Sequence, residues 1–131
     1  MRTVLIADDE PTIRKLVAAV LDRTDIRTLE AADGAQALEM VRRHQPDLIL
    51  LDILMPKING IDVCQQVRAE RAIARTPVVM LTACGQESDR ERGRRAGADG
   101  FIVKPFSPAA LLETVVNTLA GRARAAPSAT R

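Results

Sequence analysis

The chain has 131 residues with 19 basic and 17 acidic side chains, a length that suits one compact domain with a single core. Because the net charge is only +2 and aromatic residues make up 2% of the chain, composition predicts neither a nucleic-acid-binding nor a membrane-binding surface. Apolar runs such as residues 48–51 are far shorter than the about 20 residues that a membrane-spanning helix needs.

Five short runs of aliphatic and β-branched residues are spaced along the chain and predict five strands. They cover residues 4–7, 26–30, 48–51, 78–81 and 101–103, of which the second is the weakest. Apart from residues 26–30, these runs are continuously apolar rather than alternating, which is typical of parallel strands that are buried on both faces.

Amphipathic segments separate the strands and predict helices. Apolar residues at positions 13, 16, 17, 20 and 21 have the spacing of a helix with one apolar face. Helix starts are indicated by Pro11, by Asp33 with Gln36 as a capping box, and by Ser107 followed by Pro108. Strand and helix therefore alternate, and the sequence predicts an α/β fold of five βα units in three layers.

The predicted domain covers residues 1–120. From Gly121 onward the composition changes to Ala, Arg, Pro and Ser without periodicity, and Gly121 suits the end of the preceding helix. Residues 121–131 are therefore predicted to be a flexible tail or the start of a linker.

Reactive side chains follow four of the five predicted strands. Asp8, Asp9 and Glu10 come after the first strand, Asp52 after the third, Thr82 after the fourth and Lys104 after the fifth. A polar residue at the end of one buried strand is usually only the point where the chain meets solvent. Because the carboxyl ends of parallel strands meet at one edge of the sheet, four such strands together predict a functional site there.

The convergence of three carboxylates predicts a bound cation, since carboxylate oxygens are ligands that Mg²⁺ prefers. A carboxylate next to such a cation, a lysine and a hydroxyl can act as the nucleophile of phosphoryl transfer. Asp52 is the best candidate, because it ends the most apolar strand and is expected to be central. Lys104 and Thr82 would contact phosphoryl oxygens.

Short segments at these strand ends match one known family in identity and in spacing. They are Asp8-Asp9, Asp52-Ile53-Leu54-Met55-Pro56 with Gly60, Thr82-Ala83 and Lys104-Pro105-Phe106. With them, the chain from residue 4 to about residue 119 resembles the receiver domain of bacterial two-component response regulators. The resemblance implies a doubly wound, flavodoxin-like sheet with strand order 2-1-3-4-5.

The resemblance also implies roles for individual residues. Asp52 would be phosphorylated by the phosphohistidine of a sensor histidine kinase or by a phosphotransfer protein. Asp9, Asp52 and the backbone carbonyl of Leu54 would bind Mg²⁺ or Mn²⁺, and Asp8 would do so through water. The domain would catalyse only its own phosphorylation and dephosphorylation and would not be an enzyme acting on another substrate.

Three further residues carry expectations from the family. Phe101 matches an aromatic residue that turns inward on phosphorylation together with Thr82, although an ordinary core phenylalanine is the alternative. The Lys104-Pro105 bond is expected to be cis, which would help aim the lysine. Leu54 and Cys84, each two residues after a site residue, would influence the rate of phosphate loss.

Two segments depart from the family. Residues 85–95 contain no apolar side chain, although they match the fourth helix, which usually has some apolar face. We interpret this helix either as loosely held and remodelled by a partner or as an ordinary solvated helix. Thr114 occupies the position of an arginine used in the dimer of winged-helix regulators, so we expect a monomer or a weak, phosphorylation-dependent dimer.

The predicted function is that of a phosphoacceptor whose fourth helix, fifth strand and fifth helix form a face for a downstream protein target or effector domain. Two alternatives remain: a receiver fold that binds partners without phosphorylation, and the N-terminal part of a larger DNA-binding regulator. Nothing in the segment itself predicts contact with nucleic acid or membrane. Two distant cysteines and no signal sequence indicate a cytoplasmic location.

Overall fold

The computed structural model describes residues 2–83 and 87–125, which form a five-stranded parallel sheet between two layers of helices. The strands are β1 (Thr3–Ala7), β2 (Arg27–Ala31), β3 (Leu48–Asp52), β4 (Val78–Ala83) and β5 (Gly100–Lys104). The helices are α1 (Pro11–Leu21), α2 (Gly34–His44), α3 (Gly60–Ala69), α4 (Glu87–Ala96) and α5 (Pro108–Ala125). The observed order, β2-β1-β3-β4-β5, confirms the predicted flavodoxin-like fold.

The central strands β1, β3 and β4 are buried on both faces, as their continuous apolar runs predict, whereas the edge strand β2 is partly exposed. In the central strand β3, Ile49 and Leu51 face the layer formed by α2, α3 and α4, whereas Leu48 and Leu50 face α1 and α5. All four side chains have no solvent exposure. Among the described helices, none is both long and apolar enough to span a membrane.

Local hydrogen bonds explain where two helices begin. The Asp33 side chain accepts a hydrogen bond from the Gln36 amide at 2.8 Å and caps α2. The Gln36 side chain accepts a return bond from the Ala32 amide at 2.6 Å, one residue earlier than a standard capping box. At α5, Ser107 Oγ accepts from the Ala110 amide at 3.0 Å. These predicted starts are confirmed.

The predicted end of the last helix at Gly121 is wrong, because α5 continues to Ala125. A Cβ atom at Gly121 would meet nothing within 4 Å, so this glycine lies on an open part of the helix. Glycine costs about 1 kcal/mol relative to alanine inside a helix, and the neighbouring alanines and arginines are strong helix formers that offset this cost. Residues 126–131 of the predicted tail lie outside the described residues.

Helix α4 is held at its C-terminal end by Arg68 of α3. The guanidinium donates hydrogen bonds to the carbonyls of Ala74, Thr76 and Gly97 at 2.6–3.1 Å, and it pairs with Asp99 at 3.0 Å. Gly97 ends the helix with φ +104°, a backbone region that favours glycine. Its Cβ position would lie 2.9 Å from the Arg68 side chain, so only glycine fits under the guanidinium.

Candidate functional site

The carboxyl ends of β1 and β3 bring together the three predicted acids. Carboxylate oxygens of Asp8, Asp9 and Asp52 all lie within 4.8 Å of one another. Asp8 is fully buried and Asp52 is 6% exposed, whereas Asp9 faces solvent. Strand order explains this geometry, since β1 and β3 are neighbours in the sheet and end at the same edge.

Lys104 at the end of β5 reaches across to these acids. Its Nζ donates a hydrogen bond to Asp8 Oδ2 at 2.8 Å and lies 3.5 Å from Asp52 Oδ2. A third carboxylate, from Glu10, lies at 3.5 Å. Asp8 also accepts a hydrogen bond from the Glu10 amide at 2.9 Å, so both of its carboxylate oxygens have partners. The lysine therefore has an orientation fixed by acids from the opposite side of the cleft.

The backbone after Asp52 is tightly packed against the start of α3. The Gly60 amide donates to the Ile53 carbonyl at 2.8 Å, and a Cβ atom at Gly60 would come 2.2 Å from the Asp52 carbonyl oxygen. Any larger residue would push this turn away. The Leu54 amide donates to Asp52 Oδ1 at 3.3 Å and fixes the carboxylate from the other side.

An open cleft of about 540 Å³ lies above the acids. Its described lining residues are Asp9, Glu10, Asp52, Ile53, Leu54, Leu81, Thr82, Ala83, Asp89 and Lys104. Thr82 is 2% exposed, and the Leu54 side chain is 71% exposed at the edge. The volume of the cleft is large enough to hold a phosphoryl group.

The site is electrostatically strained. Burial and the neighbouring charge of Asp8 raise the pKa of Asp52 to about 6, although Lys104 and the Leu54 amide act in the opposite direction. Burial alone would lower the pKa of Lys104, but its hydrogen bond to Asp8 and the charge of Asp52 outweigh this effect, and the pKa is raised. Lys104 therefore stays protonated, next to carboxylates whose negative charges repel one another.

The donor set fits a hard divalent cation. Three carboxylates within 4.8 Å of one another supply oxygen ligands, and one of them, Asp9, opens to solvent where water could complete the coordination. Repulsion between the acids is relieved when a cation neutralises them. The residues present therefore match the predicted Mg²⁺ site.

Comparison with known proteins gives one consistent result. The family profile described as the response regulator receiver domain matches residues 4–116. Among curated proteins, the transcriptional regulatory protein ResD of Bacillus subtilis is 46% identical over 105 residues, which are 80% of this chain and 42% of ResD. The regulator PhoP of the same organism is 39% identical over 127 residues, which are 97% of this chain and 52% of PhoP.

The chain belongs to the response regulator receiver domain family. Its structure agrees with that of other receivers. A putative response regulator from Chloroflexus aurantiacus has a TM-score of 0.87 and 36% identity, over 91% of this chain and 98% of that one. The chemotaxis regulator CheY4 of Vibrio cholerae has a TM-score of 0.86 and 34% identity, over 90% and 98%. The chain spans about half the length of the curated relatives ResD and PhoP.

Residues expected to transmit a signal lie in β5 and directly after it. Phe101 is half-buried in β5 against Gly93 of α4, and the Arg94 guanidinium carbon lies 5.8 Å from its ring centroid. The Lys104-Pro105 bond is cis, as expected. Cys84 lies outside the described residues. The roles of Phe101 and Thr82 as a switch stay predictions.

Sequence reasoning missed one residue of the receiver cleft, Asp89. It lies in the first turn of α4 and lines the cleft opposite the strand ends. The face of a helix is predicted from its apolar stripe, and residues 85–95 have none. The only sequence feature that could have indicated the inward side of α4 is its pair of small residues, Gly93 and Ala96, which are buried. Asp89 lies one turn before Gly93 and therefore on the same side of the helix.

Proposed function

We propose that this receiver domain is a Mg²⁺-dependent phosphoacceptor that takes a phosphoryl group from a histidine kinase or phosphotransfer protein onto Asp52. The observation that carries the proposal is the position of the Asp52 carboxylate, which lies in an open cleft beside Asp8, Asp9 and the Lys104 amine. This is the combination of nucleophile, cation ligands and fixed positive charge that phosphoryl transfer needs.

In the proposed reaction an Asp52 carboxylate oxygen forms a bond to phosphorus while the bond from phosphorus to the donor nitrogen breaks. The bonding electrons stay on the histidine nitrogen, which takes up a proton. Lys104 is 3.5 Å from Asp52 and would move its hydrogen bond from Asp8 to a phosphoryl oxygen. Thr82, on the wall of the cleft, would donate to a second oxygen.

The proposed metal ligands are Asp9, Asp52 and the Leu54 carbonyl, with Asp8 acting through water. Bound Mg²⁺ or Mn²⁺ would neutralise charge that develops on the transferred oxygens. Two observations support this assignment: the clustered acids of the chain, and a Pseudomonas aeruginosa receiver of TM-score 0.84 and 29% identity that is described with magnesium in its active-site cleft.

The proposed output is a change in the surface formed by α4, β5 and α5. Thr82 and Lys104 would be drawn to the phosphoryl group, and Phe101 would move with Thr82. The two residues lie on the paired strands β4 and β5, where Thr82 is in register with Val103 and Phe101 with Met80. A downstream protein or effector domain would read the altered face. We infer no enzymatic activity beyond self-catalysed phosphorylation and dephosphorylation, and we expect the cytoplasmic location typical of the family.

The first experiment is incubation with Mg²⁺ and acetyl phosphate, followed by intact mass measurement. The protein is expected to gain one phosphoryl group, and Asp52→Asn is expected to gain none. Asp62→Asn is the matched control, because Asp62 is an exposed aspartate in the first turn of α3. Equal masses with and without donor, in conditions where a known receiver reacts, would favour the phosphorylation-independent interaction module.

A second proposal concerns the longer protein context. The curated relatives ResD and PhoP are transcriptional regulators about twice as long as the matched segment, so we infer that this receiver controls transcription through an attached or separate effector. Single-domain relatives such as CheY4 show the other arrangement, since this chain covers 98% of that structure. Sequencing of the complete reading frame would distinguish the two.

A further inference from the structure

Asp89 places a negative charge on the wall of the phosphorylation cleft. Its side chain is 23% exposed, and its ionic partner among the described residues is Arg92, at 3.8 Å. Such a partially exposed pair is weak and neutralises little of the carboxylate's charge. Lys104 is held by acids of the opposite wall and so leaves Asp89 without a compensating amine from the site.

The described lining of the cleft is strongly acidic. Carboxylates of Asp9, Glu10, Asp52 and Asp89 face one amine, that of Lys104, and the buried Asp8 lies directly behind. Even with a divalent cation bound by the acids at its base, the cleft keeps a negative net charge. A cleft with one sign of charge repels ligands of the same sign and lowers their local concentration.

We propose that Asp89 is a specificity-determining residue that slows the reaction of Asp52 with free anionic phosphodonors. This inference rests on the proposed phosphoacceptor function. A small donor such as acetyl phosphate must bring its negative phosphoryl group past Asp89 without other contacts to the domain. A protein donor docks through a larger surface whose contacts offset the repulsion, so the penalty falls mainly on the small molecule.

The reaction itself is unchanged by Asp89. An Asp52 oxygen bonds to phosphorus, the bond from phosphorus to the acetate oxygen breaks, and acetate leaves with the bonding electrons. Asp89 acts on the approach of the donor, and its influence must therefore depend on ionic strength. At about 0.1 M salt the Debye length is roughly 10 Å, and at about 1 M it is roughly 3 Å.

A purely structural role for Asp89 gives a different expectation. An acidic residue in the first turn stabilises a helix through the helix dipole, and Glu87 occupies the same turn of α4. Glu87 has an 80% exposed side chain and is not among the described residues that line the cleft. Glu87→Gln is therefore the matched control, since it removes the same charge from the same turn away from the site.

The test compares initial phosphorylation rates of wild type, Asp89→Asn and Glu87→Gln with subsaturating acetyl phosphate and saturating Mg²⁺. At about 0.1 M ionic strength, Asp89→Asn is expected to react about two- to fourfold faster than wild type and Glu87→Gln at the wild-type rate. At about 1 M the difference is expected to disappear. Asp89→Lys, a second variant, is expected to exceed Asp89→Asn at low salt.

Equal rates for wild type and both Asp89 variants at low salt would overturn the inference while leaving the proposed function intact. The same acceleration in Glu87→Gln would also overturn it, because the effect would then belong to the charge of α4 as a whole. A wild-type protein that gains no phosphoryl group would instead remove the proposed function, and the inference with it. Thermal melts of each variant separate these outcomes from loss of folding.

Discussion

At the scale of single residues, the ionised carboxylate of Asp52 that phosphoryl transfer needs also lowers the stability of the folded protein. Its pKa is raised to about 6 from an ordinary 3.8, because burial and the charge of Asp8 disfavour its ionised form. Between these values the native state binds a proton that the unfolded state has lost. Stability therefore falls as the pH rises through this window, by about 1–3 kcal/mol.

Asp52→Asn is accordingly expected to stabilise the metal-free protein by about 1–3 kcal/mol at pH 7. The advantage should vanish toward pH 4, where the native wild-type carboxyl group is also neutral. Urea denaturation in a chelator at both pH values measures it. Asp62→Asn, which changes an exposed aspartate, is the control, and an Asp52→Asn variant that is less stable than wild type at pH 7 would contradict this account.

We expect Leu54 to affect the loss of the phosphoryl group from Asp52. Its side chain is 71% exposed at the cleft and offers no hydrogen bond to an attacking water. Leu54→Asn is expected to shorten the lifetime of the phosphorylated protein about fivefold, equivalent to the roughly 1 kcal/mol of one hydrogen bond. Time-resolved intact mass after donor removal gives the lifetime. Leu54→Met should keep the wild-type value, and an unchanged Leu54→Asn lifetime would refute the role.

At the scale of secondary-structure elements, the start of α3 and the turn after β3 depend on the absence of a side chain at Gly60. A Cβ atom there would lie 2.2 Å from the Asp52 carbonyl oxygen, a backbone atom with little freedom to move. Gly60→Ala is expected to lower the free energy of unfolding by about 2–4 kcal/mol.

Gly121→Ala is the matched change, since its Cβ meets nothing within 4 Å and the helix continues on both sides. It is expected to stabilise the protein by up to about 1 kcal/mol through helix propensity. Urea denaturation of both variants tests the pair. Equal effects of the two substitutions would mean that the packing at Gly60 is unimportant.

Helix α4 is expected to open more readily than the other helices. It buries only Gly93 and Ala96, whereas α2 buries four residues. Its outward charges pair at 3.5–3.8 Å, and exposed pairs of this kind contribute little. Amide hydrogen exchange should show lower protection across residues 91–96 than across α2. Protection equal to that of α2 in the isolated monomer would exclude a loosely held helix.

The elements differ in how far the sequence determines them. The strands follow from continuous apolar runs, and the starts of α2 and α5 follow from side chains that cap free amides locally. The end of α5 was not predictable from Gly121, because a glycine on an open helix surface costs too little to stop it. The side of α4 that lines the cleft was also not predictable from the sequence, because the helix has no apolar stripe that would show which side faces the sheet. Its orientation, and with it the position of Asp89, follows from the packing of Gly93 against Phe101.

The candidate site also has parts that the sequence predicts and parts that it does not. Asp8, Asp9, Asp52, Thr82 and Lys104 were predictable because strand ends and topology place them at one edge. The detail that Lys104 bonds more closely to Asp8 than to Asp52 depends on distances that only the folded chain defines.

For the whole molecule, we expect any self-association to use the surface of α4, β5 and α5. By the resemblance to the family, Thr114 is expected at the position of the dimer arginine, and on α4 both Glu87 and Glu91 pair with Arg94 of the same helix. Because these charges are already paired within one chain, they would contribute little to binding a second copy of it. We expect the phosphorylated protein to be a monomer or a dimer with a dissociation constant above about 100 µM.

Sedimentation of the protein with and without acetyl phosphate measures this directly. Thr114→Arg is expected to strengthen phosphorylation-dependent association, and Thr114→Ser is the control of similar size. A tight dimer of the unphosphorylated protein would show that another surface is used.

The hydrogen bonds made by Arg68 hold one end of α4 in place. They fix Gly97, the far end of α4, to the end of α3, while the first turn of α4 borders the cleft. A helix of 10 residues is about 15 Å long, so a tilt of about 10° around Gly97 moves its first turn by about 2.6 Å. We therefore expect phosphorylation of Asp52, as proposed above, to move the first turn of α4 about its fixed end at Gly97, a displacement that a partner protein could detect.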